Sequence, residues 1–357
     1  MANHQRLTRR DSIRYLATAS TALMTSSMVT HQADADEATT KAAPTHKDTF
    51  GLLEKGRKIP VIFDTDIGSD IDDTWALLYL LNCPEMDLRL VSTDAGQGPY
   101  RARLTARFLT ECGHSNIPVS VGSGKPDQLG NQQDWVKGYN LESYAGNVYD
   151  DSVDAIIQTI HASPDPVTLI CVGGVPNISE ALRRDPSITN NARFVGMHGA
   201  IHVGYGGHGP PVPEANVRTD PKALRDVFAA DWQCSITPLD TCGIVDLTDE
   251  RYQTVYRSDS VGIKPLMENY RDWLTRVPWL DVKPDPAIRS STLFDMVAVT
   301  MAFSEDLLEM ETLPLVVDDK GMTLVDPDQG RPVRCAMRWK NLDAYLDHLV
   351  DRLVKNA

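Results

Sequence analysis

Five aspartates lie within ten residues of one another: Asp64, Asp66, Asp70, Asp72 and Asp73. Carboxylates this close repel one another strongly unless a cation lies among them. Carboxylate oxygens are also the ligands that a hard divalent cation prefers. The residue types and their spacing therefore predict a metal site, and the alternative is an acidic turn exposed to solvent.

Apolar segments flank these acids on both sides. Residues 58–66 form the apolar run of a buried strand, and residues 72–82 have the periodicity of a helix that buries one face. The acids then lie on a loop at the carboxyl end of a strand, which is where open α/β sheets bind their ligands. Gly68 gives this loop the backbone freedom that a tight turn needs.

Strand-like and helix-like segments continue to alternate along the chain. Further strands are predicted at 88–93, 117–121, 167–172, 193–197 and 235–239, with a terminal hairpin at 312–317 and 322–325. Further helices are predicted at 100–112, 151–161, 175–184, 221–230, around 252, and at 264–275, 293–303 and 342–354. The alternation predicts an α/β fold: a single open sheet, mostly parallel and mixed at its edge, flanked by helices. The irregular stretch 123–150 is long for a loop, so we predict that it is a substrate-side insertion.

The overall composition limits the classes of function. With 357 residues and 42% apolar residues, the chain can bury the core of one large α/β domain or of two ordinary ones. Its net charge of −14 argues against nucleic acid or an anionic membrane surface as a partner. The sequence has no apolar run long enough to predict a membrane-spanning helix.

The first 35 residues have the order of an export signal. Residues 8–14 (TRRDSIR) resemble the twin-arginine motif, a weakly apolar stretch follows, and Ala33 and Ala35 form a small-x-small cleavage site. We predict a twin-arginine-type signal peptide at 1–35 and a periplasmic or extracellular protein; the alternative is a disordered basic tail. Residues 36–57 are predicted to be a polar linker, and residues 58–357 to be the α/β domain.

Six cysteines are scattered along the chain without a C-x-x-C pair. This spacing does not favour a zinc site. The twin-arginine route carries proteins that have already folded in a reducing cytoplasm, so we predict free, buried thiols rather than disulfides.

The acidic loop resembles the signature of the inosine-uridine-preferring nucleoside hydrolase family, D-x-D-P-G-x-D-D-A-x-A-L. Residues 64–77 carry this pattern with two extra residues and with Ile67 in place of the proline. Four further segments resemble family motifs in the family's order: 95–97 (AGQ), 172–177 (VGGVPN), 213–217 (PEANV) and 294–299 (FDMVAV). The resemblance extends from about residue 60 to about residue 302.

This resemblance implies a Rossmann-like nucleoside hydrolase fold with one bound calcium ion. The implied calcium ligands are Asp66, Asp73, the backbone carbonyl of Val172, and Asp295. On its own, Asp295 would also suit the N-cap of the helix that follows it. The family's members are usually homo-oligomers, so a dimer or tetramer is expected.

The implied reaction is hydrolysis of the N-glycosidic bond of a ribonucleoside. Water passes a proton to Asp66 and attacks the anomeric carbon as an oxocarbenium-like state develops. The implied contacts to the ribose hydroxyls come from Asp72, Gln97, Glu214 and Asn216. Gln97 stands where the family has asparagine. Asp70 has no counterpart in the family, and it remains an alternative to Asp72, whereas a structural role is expected for Asp64.

Phe294 stands where many family members have a histidine proposed to protonate the leaving base. A phenyl ring cannot donate a proton, but it can bind a base by stacking. The candidate acids lie mainly in the glycine-rich loop after residue 197, and we favour His208 because the glycines around it allow the loop to close. The other candidates are His198, His202, Tyr205, Tyr139 and water.

Two other functions are compatible with parts of the sequence. The first is a non-catalytic protein that keeps the calcium and ribose site but lacks the acid. The second is a phosphatase with a D-x-D nucleophile at Asp64 and Asp66, but Gly68 is unusual for that motif and the later segments would go unexplained. The favoured function is that of an exported, calcium-dependent enzyme that hydrolyses a small nucleoside or riboside.

Overall fold

One ten-stranded sheet lies at the centre of the part of the chain that the structure describes. Its strands are β1 (Ile59–Thr65), β2 (Met86–Thr93), β3 (Val119–Ser120), β4 (Val148–Tyr149), β5 (Val167–Cys171), β6 (Ala192–Met197), β7 (Cys234–Thr237), β8 (Leu308–Val317), β9 (Thr323–Val325) and β10 (Arg331–Trp339). Their order is β4-β3-β2-β1-β5-β6-β7-β10-β8-β9. All neighbours pair in parallel except β10 with β8 and β8 with β9. The predicted single, mostly parallel sheet with a mixed edge is confirmed.

The computed structural model describes residues 42–125, 127–277, 279–280 and 283–355. They belong to one compact unit, Lys41–Ala357. The predicted signal peptide, residues 1–35, lies outside the described residues.

Helices cover both faces of the sheet. They are α1 (His46–Glu54), α2 (Asp72–Leu81), α3 (Gly98–Glu111), α4 (Ser152–Ala162), α5 (Pro176–Arg184), α6 (Ala215–Thr219), α7 (Pro221–Ala229), α8 (Leu239–Cys242), α9 (Asp249–Tyr256), α10 (Ile263–Leu274), α11 (Met296–Met301) and α12 (Leu342–Leu353). Because neighbouring strand residues point to opposite faces, Val61 and Phe63 join one buried cluster and Ile62 joins the other. Among the described residues, no helix is long and apolar enough to span a membrane.

Strand β10 was not predicted, although it connects the parallel part of the sheet to the terminal hairpin. Pro332 lies in this segment, and a proline usually argues against a central strand because it cannot donate a hydrogen bond to its neighbours. The structure places Pro332 near the start of the strand, opposite Pro314 of β8. Val333, Cys335 and Met337 then bury alternate positions in the core.

The predicted polar linker, residues 36–57, contains helix α1. The Asp48 carboxylate accepts a hydrogen bond from the Thr45 backbone N–H at 2.8 Å, as in a capping box. Leu52 is buried, and the ring of Phe50 lies 5.3 Å from the guanidinium carbon of Arg193. The helix therefore packs on the domain. It was not predicted because the apolar positions stand among polar residues and give no clear helical period.

All six cysteines are free and buried, as predicted. Burial raises the pKa of each thiol, for example to about 12 for Cys112 and Cys234. These groups are therefore protonated and unreactive at neutral pH.

Candidate functional site

Three buried aspartates converge at the carboxyl end of β1. Asp72 and Asp73 form the first turn of α2, and Asp295 immediately precedes α11. One oxygen of each lies within 4.8 Å of the others, and none of the three residues is more than 4% exposed. The Thr65 hydroxyl donates a hydrogen bond to Asp73. The fold thus joins two distant parts of the sequence in one oxygen-rich group.

The electrostatics of this group favour a bound cation. Burial, followed by repulsion from neighbouring carboxylates, raises the pKa of Asp72, Asp73 and Asp295 well above the usual range. Three ionised carboxylates at this depth are costly unless a positive charge compensates them. Because every possible metal-ligand atom in the group is a carboxylate oxygen, the group suits a hard divalent cation and not a soft metal.

Asp66 lies next to this group but faces a different partner. Its Oδ2 atom is 3.3 Å from Nη1 of the buried Arg101. Its negative charge contributes to the raised pKa of Asp72, Asp73 and Asp295. The three carboxylates that lie close to one another are therefore those of Asp72, Asp73 and Asp295. The metal ligands predicted from the sequence included Asp66 and not Asp72.

Asn216 connects the ends of two central strands. Its Nδ2 atom donates to the carbonyl oxygens of Val172 and Met197, both at 3.1 Å. The Val172 carbonyl, a predicted metal ligand, therefore lies at the carboxyl end of β5 beside Asn216. Asn177 also connects two strand ends, since its Nδ2 atom donates a hydrogen bond to Asp64 Oδ1 of β1 at 3.0 Å. Burial raises the pKa of Asp64 to about 6, and these contacts support the expected structural role.

Glu214, a predicted ribose contact, accepts three backbone hydrogen bonds. Its Oε1 accepts from Asn216 at 2.7 Å, and its Oε2 accepts from Gly199 at 3.1 Å and from Val217 at 3.2 Å. It is thus the N-cap of α6 and joins that helix to the glycine-rich loop. Burial raises its pKa to about 7, because desolvation outweighs these hydrogen bonds.

The glycine-rich loop separates its three histidines. His198 is fully buried, its Nε2 lies 2.9 Å from the Gly173 carbonyl, and burial lowers its pKa to about 4. It is therefore neutral at pH 7 and does not serve as the leaving-group acid. His202 and His208 are exposed. Gly206, Gly207 and Gly209 have φ between 72° and 75°, so this backbone needs glycine around His208.

Phe294 pairs with another aromatic ring. The ring of Tyr205 meets it edge-on, with centroids 5.8 Å apart, and the Tyr205 hydroxyl accepts a hydrogen bond from the Ala215 N–H at 2.9 Å. Tyr139 lies elsewhere, because its hydroxyl is 3.3 Å from Thr110 near the far end of α3. Tyr205 therefore lies near the predicted base-binding residue. The position of Tyr139 argues against it as the leaving-group acid.

Part of the irregular stretch 123–150 lies against the acidic loop. The Asn131 backbone N–H donates to the Gly68 carbonyl at 2.8 Å, and its side chain donates to the Ser69 carbonyl at 2.6 Å. Gln97 Nε2 donates to the Leu129 carbonyl at 3.1 Å. Asp70 accepts a hydrogen bond from the Ile71 N–H at 2.7 Å and is not in the group of three, so the structure favours Asp72 over Asp70 as the functional acid.

Two charged residues at the site were not predicted from the sequence to be functional. Arg101 shares the inward face of α3 with Leu104 and Phe108, and a charge at that spacing was the signal. Asp94 accepts a hydrogen bond from the Gly174 N–H at 3.0 Å. It is buried beside Asp64, and desolvation and that charge raise its pKa well above the usual range.

A family model for inosine-uridine preferring nucleoside hydrolases matches residues 61–351. The chain belongs to this family. It is therefore a hydrolase of N-glycosyl bonds, in a family that depends on metal. The resemblance that the acidic loop predicted is confirmed.

Relatives of this nucleoside hydrolase occur in bacteria and protozoa. A pyrimidine-specific ribonucleoside hydrolase of Citrobacter koseri is 30% identical over 239 residues, which cover 62% of this chain and 74% of the relative. The inosine-uridine preferring nucleoside hydrolase of Leishmania major is 29% identical over 300 residues, which cover 77% of this chain and 90% of the relative.

Solved structures show the same fold. A purine-preferring ribonucleoside hydrolase from Gardnerella vaginalis superposes with a TM-score of 0.67 at 21% identity, covering 83% of this chain and 98% of that one. The inosine-uridine preferring nucleoside hydrolase of Bacillus anthracis gives a TM-score of 0.65 at 23% identity, covering 83% and 99%. The predicted nucleoside hydrolase fold is thereby confirmed.

Proposed function

We propose that this protein is a calcium-dependent N-ribohydrolase that converts a ribonucleoside and water into ribose and a free base. The observation that carries the proposal is the convergence of Asp72, Asp73 and Asp295 in a buried, all-oxygen group at the carboxyl end of the central strand. The family match supports the reaction class. The relatives differ in the bases that their names mention, so we propose no base preference.

In this proposal, Asp73 and Asp295 hold the calcium ion, with Asp66 and the Val172 carbonyl as further ligands. Bound calcium would neutralise the buried carboxylates and make a water molecule more acidic. The donor set supports calcium because it contains only carboxylate and carbonyl oxygens. Asp72 lies in the same group, which supports a role for it in holding a ribose hydroxyl beside the ion.

The chain's own groups then carry the reaction. Asp66 accepts the proton of the attacking water, which adds to the anomeric carbon while the bond to the base breaks. Asp72, Gln97, Glu214 and Asn216 hold the ribose hydroxyls, so that binding of the sugar stabilises the oxocarbenium-like state. Phe294 and Tyr205 present an aromatic surface for the base. We propose that His208, on the glycine-rich loop, protonates the departing base.

The leaving group should reveal whether His208 is the acid. Replacing His208 with alanine should slow the hydrolysis of inosine and uridine by about 10²–10⁴-fold, because an unprotonated base is a poor leaving group. p-Nitrophenyl riboside needs no proton donor, so its hydrolysis should change little. Release of base, nitrophenolate and ribose would be measured with calcium present.

The exposed His202 provides a matched control on the same loop, and His202→Ala should keep wild-type rates. Equal losses on natural and activated substrates would mean that His208 shapes the pocket instead of donating a proton. If the wild-type protein released no base or nitrophenolate from any riboside, the proposed function itself would fail, and the non-catalytic alternative would replace it.

We also propose that the protein is exported with residues 1–35 as a twin-arginine-type signal. The proposal is supported by the order of basic, weakly apolar and small residues in this segment. Six buried, free thiols suit a protein that folds before export. Intact mass of protein recovered from outside the cytoplasm should begin at residue 36, and recovery of only the uncleaved cytoplasmic chain would refute export.

A further inference from the structure

Arg101 is a buried cation at the edge of the acidic group. It is 7% exposed and lies in the first turn of α3, the helix that begins after Gln97. Its Nη1 atom is 3.3 Å from Asp66 Oδ2, and its Nη2 atom donates to the Ser69 hydroxyl at 3.0 Å. One guanidinium therefore contacts two residues of the acidic loop, one of which is the proposed base.

The charge of Arg101 also affects the pKa of several other carboxyl groups. Arg101 lowers the pKa of Asp64, Asp73 and Asp94 through its electrostatic field, against the larger effect of their burial. Its Nε and Nη1 atoms are buried and have no hydrogen-bond partner among the described residues, so the contact of Nη1 with Asp66 is an ion pair and not a hydrogen bond. A guanidinium held this way is costly to bury unless nearby anions compensate it. The acidic group provides that compensation.

We propose that Arg101 is a positioning residue for the reaction, whose ion pair with one oxygen of Asp66 leaves the other oxygen, the proposed calcium ligand, facing the attacking water. This inference rests on the proposed function. Ser69 anchors the other end of the guanidinium, and helix α3 fixes its direction. Lysine has no planar fork and cannot contact both partners in the same way.

The charge of Arg101 has an opposite effect on the metal. A positive group beside the acidic cluster repels a divalent cation, so Arg101 weakens calcium binding while it assists turnover. A residue that only maintained the fold would act differently, because its loss would weaken calcium binding and turnover together. The signs of the two effects therefore distinguish positioning from a general structural role.

The test compares Arg101→Gln with the wild-type protein. Calcium affinity would be measured by calorimetric titration of the calcium-free protein, without substrate. The kcat and KM would be measured with p-nitrophenyl riboside at saturating calcium. We expect kcat to fall by about 10- to 100-fold because Asp66 is no longer aligned. We expect KM to change by less than about threefold, since ribose contacts remain, and calcium to bind as tightly as before or more tightly.

Two further variants separate charge from geometry. Arg101→Lys keeps the charge, so it should bind calcium as the wild-type protein does while remaining slow. Ser69→Ala removes only the Nη2 contact, so it should lower kcat by about fivefold, the worth of one hydrogen bond, and leave calcium affinity unchanged. This milder variant tests the inference if Arg101→Gln folds poorly.

Arg107 is the matched control on the same helix. Its Nε atom pairs with Glu111 at 2.8 Å, and its Nη1 atom donates to the Trp135 carbonyl. Neither partner belongs to the acidic loop, so Arg107→Gln should leave kcat and calcium affinity unchanged. Wild-type kcat in Arg101→Gln, or weaker calcium binding in parallel with slower turnover, would overturn the inference. A wild-type protein inactive on every riboside would instead refute the proposed function, and the inference would fall with it.

Discussion

Replacing Asp73 with alanine is expected to abolish calcium binding and the stabilisation that calcium gives. Asp73 is 1% exposed and belongs to the group with Asp72 and Asp295, so its loss leaves too few negative ligands. At a calcium concentration 100 times the dissociation constant, binding stabilises the wild-type protein by about 2.7 kcal/mol. Calorimetric titration and melting curves with calcium or with chelator would measure both effects.

Asp73→Asn adds a sharper test because it keeps the shape of the side chain and removes the charge. In chelator at pH 7, this variant should melt at a higher temperature than the wild-type protein, since one of the repelling carboxylates is gone. In calcium the order should reverse. The half-buried Asp87, paired with Arg89 on β2, offers a control in Asp87→Asn, which should respond to calcium as the wild type does. A wild-type melting temperature that is the same in calcium and in chelator would contradict the calcium site.

The calcium-free protein is expected to become more stable as the pH falls from 7 to 5. Burial raises the pKa of Asp64 and Asp70 to about 6, and burial with repulsion from neighbouring carboxylates raises the pKa of Asp72, Asp73 and Asp295 well above the usual range. In the unfolded chain these groups titrate near pH 3.9. Over this window the folded protein binds more protons than the unfolded chain, so acidification favours folding.

His198 opposes this trend. Its folded pKa of about 4 lies below the unfolded value of about 6.5, so its contribution to stability is complete above pH 6.5 and is lost as the pH falls toward 4. Because it is one group against several carboxyls, we expect a net gain in the free energy of unfolding between pH 7 and pH 5. Urea unfolding in chelator at both pH values would measure it.

Saturating calcium should cancel or reverse this pH dependence. A bound cation keeps its carboxylate ligands ionised, so the folded protein no longer takes up protons ahead of the unfolded chain, and protons compete with the metal. A chelated protein that loses stability steadily from pH 7 to pH 5 would show that the buried carboxyls are already compensated without calcium.

The sequence was most informative where chemistry and periodicity coincided. The apolar run before Asp64 and the apolar helix after Asp73 located the acidic loop at a strand end, and the structure has β1 and α2 there. The same reasoning failed for β10, because Pro332 argued against a central strand. It also failed for α1, where Phe50 and Leu52 stand among polar residues.

Individual positions at the site depended on distances that a sequence does not contain. The two extra residues of the acidic loop left open whether Asp70 or Asp72 contacts the ribose, and the structure brings Asp72, not Asp70, together with Asp73 and Asp295. His198 was grouped with His202 and His208 because all three lie near glycines. The burial of His198 behind Gly173 follows from the packing of β6 against β5, which is a tertiary property.

The contacts of Asn131 with Gly68 and Ser69 restrict how the segment that covers the acidic loop could be redesigned. Exchanging residues 129–135 for the loop of another hydrolase would remove the hydrogen bond of the Asn131 side chain to Ser69, and the backbone bond to Gly68 would remain only if the new loop followed the same path. A chimaera would therefore need both segments from the same parent. Residues 127–128 are exposed, and they offer a place where composition can vary without disturbing the metal ligands. Gly124 does not, because it bridges to Gly96 and Gln97 and an added Cβ would lie 2.4 Å from the Gly96 carbonyl oxygen.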